Sequence, residues 1–177
     1  MKILQLAAAL WASVFAAGLA EAQEPSINEQ CREIAGFFVA KSSGTESLPF
    51  ADKLNSSKLD YSVASLDAVD RYLEHVHRNN GQLKDLDEEI VVVWGGCYLG
   101  EVIRRNSARG YVWEKYASYA EKHPQVRQVI PEATTGTMIL LSDSHGRMTL
   151  PLNKVGRFIF EGPSNNLRFY AEAEIAS

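Results

Sequence analysis

The chain is poor in the residue patterns that catalysis and metal binding need. Past residue 22 it contains no Gly-x-Ser-x-Gly and no Ser-x-x-Lys, two patterns of an activated serine. No Gly-Lys-Ser/Thr follows Gly95-Gly96, so the backbone cradle of a nucleotide phosphate site is missing. The four histidines, His75, His77, His123 and His145, form no His-Glu-x-x-His, and the two cysteines form no Cys-x-x-Cys. Asp85-Leu86-Asp87-Glu88-Glu89 lacks the spacing of a calcium loop and reads as a helix start. Neither a metal nor a cofactor is expected. Positive charge is also short: 18 Lys and Arg against 22 Asp and Glu leave a net charge of −4, without the basic footprint of a nucleic-acid binder. Beyond the first 22 residues no apolar run is long enough to span a membrane, and there are no repeats or low-complexity tracts.

What is present begins with an export signal. Met1-Lys2 gives a short positive start, Ile3 to Ala20 carries no charge, and Ala20-Glu21-Ala22 has small residues at both positions of an A-x-A cleavage site. Cleavage after Ala22 leaves a chain starting at Gln23, one domain by length, with a periplasmic or secreted destination. An uncleaved anchor is the alternative, although Ala, Gly and Ser dilute the run near the lower limit for a span. Cys31 and Cys97 both follow the leader. In an oxidising compartment the even pair points to a disulfide, and two separately buried thiols are the alternative.

Hydrophobic spacing lays out the rest. Residues 23–64 hold a first helix over Ser26–Lys41, with Ile27, Cys31, Ile34, Phe37 and Phe38 at helical spacing, and then a polar connector. Residues 65–177 form the core of the domain. There Ser65 is the expected N-cap of a helix that buries Leu66, Val69, Leu73 and Val76 and ends near Gly81. That helix leaves Asp70 for water and carries His75 and His77 on its surface. A third helix is expected to start in an Asp85–Glu88 capping box and to run through "IVVVWGGCYLGEVIRR". "IVVVW" alone fits a strand, but the acidic start and basic end favour the helix. Gly96 and Gly100 stack on one of its faces. Each glycine costs a helix roughly 1 kcal/mol against alanine, so another element should lie close against them. Strands are expected over Gly110–Tyr116, Thr137–Leu141 and Arg147–Leu150, the last two joined by a turn at Asp143-Ser144-His145-Gly146. Lys122-His123-Pro124 reads as a turn. A helix opening at Pro151 and a closing helix over Asn165–Ile175 complete an α+β domain, helices on a small antiparallel sheet.

Few side chains then remain as candidates for chemistry. Cys97, mid-helix beside Val93 and Trp94, reads as structural rather than nucleophilic, and Ser144-His145 as turn residues. Glu101 precedes Arg104 and Arg105 by three and four residues, the helix-supporting ion-pair orientation. The same group could act as an acid/base with an arginine steering an anion. Tyr98, Tyr111, Trp113 and Tyr116 fit core packing, or a peptide- or sugar-binding groove. Acidic residues crowd Asp60–Glu101 and basic ones Arg104–Arg127, a polarity that could steer a charged partner.

"GCYLGEVIRR", "GYVW" and "PLNKVGRFIFEG" together resemble a family of small bacterial domains of unknown function. Its pattern runs G-x-Y-L-G-E, then Gly and Trp, then Pro-x-x-x-Val. Gly96, Tyr98, Gly100, Glu101, Trp113, Pro151 and Val155 carry the likeness, which extends from Leu66 to Tyr170. The chain departs from the pattern at Ser107-Ala108-Arg109, ahead of Gly110. The resemblance implies no reaction, and some relatives are similar to immunity or accessory proteins of bacterial competition systems. The expectation is therefore an exported, non-enzymatic domain that binds a protein or peptide, with Tyr98, Glu101, Arg104 and Trp113 as candidate binding residues. An immunity-type inhibitor of an antibacterial effector is one alternative. A hydrolase centred on Glu101 is the other.

Overall fold

Helix α1 (Ile27–Ala40) starts where the sequence marks it. The Ser26 hydroxyl accepts from the Glu29 amide at 3.4 Å, and the Glu29 carboxylate accepts from the Ser26 amide at 2.8 Å, a closed capping box. The structure, a computed structural model, describes residues 24–177; the expected signal peptide and its cleavage site lie outside them. Among the described residues six α-helices pack with a three-stranded antiparallel sheet, an α+β architecture.

Helix α2 (Leu66–Arg78) is not capped by Ser65 as expected. Ser62 caps the short 3-10 turn Val63–Ser65 ahead of it, and the Ser65 hydroxyl is used elsewhere, against Ser62 O at 2.6 Å and the Tyr98 hydroxyl at 2.7 Å. Three polar residues of α2 also turn out to be less free than expected. Asp70 accepts the Leu167 amide at 2.8 Å and the Asn166 side-chain amide at 2.8 Å, so it helps cap the last helix. His77 Nδ1 donates to Ile159 O at 2.8 Å, and His75 lies edge-on to Phe50 with ring centroids 5.1 Å apart. Both imidazoles are half-buried rather than on the open surface.

Helix α3 (Asp85–Asn106) is the central rod. Its start differs by one residue from the expectation: the Asp87 carboxylate accepts from the Lys84 amide at 3.2 Å. From Ile90 to Ile103 every residue except Val93 is buried. A helix surrounded on all sides carries no polar stripe, which is why "IVVVW" is ambiguous by pattern alone.

Strand β1 (Val112–Lys115) pairs with β2 (Ile139–Ser142), and β2 pairs with β3 (Met148–Thr149); Trp113 faces Leu141, and Leu141 faces Thr149. The expected first strand overran. It ends at Lys115, and Tyr116 opens helix α4 (Tyr116–Lys122), which buries Tyr116, Tyr119 and Ala120 against Val126 and Leu140 in a small second cluster. Helix α5 (Pro151–Glu161) begins on its proline and stops at Gly162, whose φ of 88° suits glycine. Helix α6 (Leu167–Ala176) closes the chain, with Asn166 accepting from the Phe169 amide at 2.7 Å.

Close approach along α3 explains its glycines. A Cβ on Gly96 would lie 2.7 Å from the Leu152 backbone of α5, and one on Gly100 would lie 2.2 Å from the Trp113 ring and 3.2 Å from Pro151. Helix α5 thus nests in the groove that Gly96 opens, and the Trp113 indole fills the notch at Gly100. On another side α1 brings Cys31, Ala35 and Phe38, all fully buried, into the same core as Trp94, Cys97 and Tyr98.

Candidate functional site

Four of the sequence candidates meet at the C-terminal half of α3. Glu101 has no exposed surface, yet four donors reach it. Arg104 grips both oxygens as a fork, Nε to Oε1 at 2.8 Å and a terminal nitrogen to Oε2 at 2.9 Å. Arg105 Nε adds 3.1 Å to Oε2, and the Trp113 indole Nε1 donates to Oε1 at 3.1 Å. Burial would push the Glu101 carboxyl upward. The hydrogen bonds from Arg104 and Trp113, together with the Arg104 charge, outweigh it and hold the pKa below the usual carboxylate range.

The aromatic shell is equally closed. Tyr98 is fully buried, its hydroxyl bonded to Ser65 and accepting from the Tyr61 amide at 3.2 Å. Tyr61 sits in left-handed backbone at φ 63°, a costly conformation for a ring-bearing residue. It is held there on several sides. Its ring lies 4.9 Å from that of Tyr98 and 3.7 Å under the Arg105 guanidinium, and its carbonyl accepts from Asn106 at 2.9 Å. Asn28 of α1 accepts from the Trp113 amide at 2.9 Å.

This geometry limits what the group can do. A general acid or base must exchange a proton with a bound reactant, and it works best with a pKa near the operating pH. Glu101 is kept ionised, it is sealed from solvent, and both its oxygens are occupied. As an outward-facing binding surface the set is also poorly placed. Tyr98, Glu101 and Trp113 are covered, and of the four only the Arg104 side chain, 27% exposed, reaches solvent.

An open cleft lies near the other end of α3, and the sequence reading missed it. Asp85, Glu88, Glu89 and Val92 form one wall; Asn153, Gly156, Arg157, Phe160 and Glu161 of α5 form the other; Thr134–Gly136 close one end, around a volume of about 530 Å³. Gly156 leaves part of the α5 wall bare: a Cβ there would have only Val92 within 4 Å, at 3.9 Å. Arg157 is paired with Glu161 at 2.7 Å, whereas no salt bridge among the described residues neutralises Asp85, Glu88 or Glu89. Burial and the neighbouring charges of Asp85 and Glu89 push the Glu88 carboxyl up. The first-turn acids gain from the helix dipole, so acidity alone has a structural explanation. Phe160, 58% exposed on the wall, does not. The only hint in the sequence is that Phe160 falls off the buried stripe of Val155, Phe158 and Ile159.

Cys31 and Cys97 are both free thiols, buried and unbridged, so the expected disulfide is not formed in this structure. Both belong to the same buried core, and burial pushes the Cys97 thiol well up. Among the described residues no group of three or more His, Cys, Asp or Glu could hold a metal ion, and no helix is long and apolar enough to cross a membrane. Compared with protein-family models, curated proteins and solved structures, the chain matches none of them.

Proposed function

We propose that the chain is an exported binding domain, and that it engages a basic, partly apolar segment of a protein partner in the cleft between the start of α3 and α5. The observation that carries this reading is the exposed Phe160 standing in a cleft with three unneutralised carboxylates. An aromatic ring left in water beside a concavity is the kind of anchor on which binding energy concentrates. The carboxylates would steer and orient Lys or Arg side chains, whose aliphatic stems can lie on Val92 and Gly156. The Glu101 group serves in this reading as the lock that fixes α3, β1 and α1, leaving recognition to the opposite end of the rod.

A short peptide alternating Lys or Arg with Leu, and an acidic peptide of equal length, provide the test by titration calorimetry. The basic peptide is expected to bind saturably and to weaken with added salt. Phe160→Ala and the double variant Glu88→Gln/Glu89→Gln should each weaken binding about tenfold or more, on the scale of one hot-spot side chain, without changing the melting temperature by more than a degree or two. Equal binding of the basic peptide by all three proteins would refute the cleft as the docking site.

A further inference from the structure

We propose that the end of the sheet beside the last turn of α6 binds a small monovalent anion, held by Arg109, Tyr111 and Arg147. Trp113, Leu141 and Thr149 form one row across the sheet, on the face that meets α3 through Trp113 and α6 through Thr149. Two residues further along, the same register carries Tyr111, Asp143 and Arg147 side by side on that face, and the Asp143 amide donates to Arg147 O at 3.0 Å. Gly110, at φ 70°, turns the chain between Tyr111 and Arg109, whose guanidinium lies 3.3 Å from Asp143 Oδ2. From α6, Glu174 lies 3.4 Å from the Arg147 guanidinium.

The donors in this cluster outnumber their uses. The Tyr111 hydroxyl and Arg109 Nε are the only buried side-chain polar atoms among the described residues without a hydrogen-bond partner, and both belong to it. Tyr111 as a whole is 2% exposed. A guanidinium carries five N–H donors. The Arg109 and Arg147 side chains each make one bond, longer than the fork of 2.8 and 2.9 Å by which Arg104 holds Glu101. Asp143 is committed to the turn, its Oδ1 accepting the His145 and Arg147 amides at 2.9 and 3.0 Å. Arginine Nε can only donate, so a ligand that it shares with Tyr111 must be an acceptor, and beside two guanidinium groups an anion is the favoured acceptor. Burial raises the Tyr111 pKa, with Glu174, Arg147, Arg109 and Asp143 as the charges acting on it, so the hydroxyl keeps its proton to donate. Two arginines against two carboxylates leave the cluster neutral, which suits an ion of single charge. Close packing restricts its size to that of chloride or a formate-like carboxylate. The Arg109 and Arg147 side chains, 28% and 39% exposed, give such an ion a way in.

The full chain is melted at constant ionic strength while sodium gluconate, whose anion is too large for the site, is replaced by sodium chloride or sodium formate. The melting temperature should rise saturably with at least one of the two ions, as binding to the folded state alone requires. A response to chloride alone marks a monatomic site, and a response to formate as well admits a carboxylate. Tyr111→Phe and Arg109→Lys each remove one donor and should each weaken binding about tenfold or more, the scale of a hydrogen bond to a charged group. In gluconate Tyr111→Phe should melt no lower than the parent, which separates loss of the ion from loss of the fold. A parent whose melting temperature ignores both ions overturns the proposal, because water then completes these hydrogen bonds. So does an equal saturable rise in the parent and in Tyr111→Phe, which places the ion elsewhere.

Discussion

Replacing four glycines by alanine, one at a time, tests how α3 is packed. Each replacement in a helix interior gains about 1 kcal/mol of intrinsic propensity, so the sign of the net effect reads out the space around the new methyl. Gly36 of α1 has no atom within 4 Å of its notional Cβ, and Gly36→Ala should stabilise by close to the full amount. Gly95 would meet Val155 at 3.5 Å and Phe38 at 3.6 Å, ordinary contacts, and Gly95→Ala should be neutral or mildly stabilising. Gly96 is different, because the Leu152 main chain stands 2.7 Å from the Cβ position and cannot move without shifting α5. Overpacking of this kind costs about 1–3 kcal/mol, which exceeds the propensity gain.

Gly100→Ala should be the worst of the series. The Trp113 ring at 2.2 Å must be displaced, yet it is tethered by its indole to Glu101 at 3.1 Å and by its amide to Asn28 at 2.9 Å. Losing a hydrogen bond to a buried charge adds about 1.5–3 kcal/mol to the overpacking cost. The net loss comes to about 2–5 kcal/mol, and a loss of 3 lowers the melting temperature by roughly 6–12 °C in a chain of this size. Thermal and urea unfolding of the four variants give the order Gly36→Ala, Gly95→Ala, Gly96→Ala, Gly100→Ala from most to least stable. If Gly96→Ala and Gly100→Ala melt above the parent, as Gly36→Ala should, the nesting of α5 and Trp113 on α3 is refuted.

Glu101→Gln keeps the shape but leaves two guanidinium groups around a neutral amide, and should cost about 3 kcal/mol, at the lower end for a broken buried pair because both arginines are partly exposed. Because the Glu101 pKa is held down in the folded state, its stabilisation is present above the unfolded carboxyl value of about 4.3 and drains as pH falls through the folded one. The parent should therefore lose stability more steeply than Glu101→Gln on acidification, and parallel acid limbs in urea titrations would contradict the lowered pKa. Tyr111→Phe should go the other way. The Tyr111 hydroxyl is buried without a hydrogen-bond partner among the described residues, so removing it should stabilise by about 1 kcal/mol, and a clear loss in calorimetry would show that the hydroxyl is satisfied after all.

The helices were legible wherever apolar spacing and end signals agreed, as at Ser26–Glu29, Pro151 and Gly162. Errors fell where one side chain had a more distant use than its local one. Ser65 has the right chemistry to cap α2, but its hydroxyl is taken by Tyr98, 33 positions away, and Ser62 does the capping. Asp70 is polar on an amphipathic helix and so reads as solvated, yet it bonds to a helix start nearly a hundred residues on. Tyr116 continues the alternation of β1, and only the spacing of Tyr116, Tyr119 and Ala120 reveals that a helix has begun. The cleft could not be read at all, because its walls come from α3, α5 and Thr134–Gly136, segments that only the tertiary fold brings together.

The glycines and the carboxylate of α3 illustrate the same point from the other side. Gly96 and Gly100 accept Leu152, Pro151 and Trp113; Gly95 lies against Val155; Trp113 bonds to Glu101; Tyr98 braces the loop that Arg105 covers. A buried carboxylate among arginines and a tryptophan resembles a catalytic constellation when only the letters are visible. In three dimensions each polar atom of that carboxylate is occupied, and each glycine is where another element must pass. A buried charge so fully partnered fixes one arrangement of its neighbours, since any slip of α3 against β1 would strand an ionised group without donors, at several kcal/mol. Glu101 thus has the physical properties of a register pin, and the search for recognition moves to the end of the rod where Phe160 is left in water.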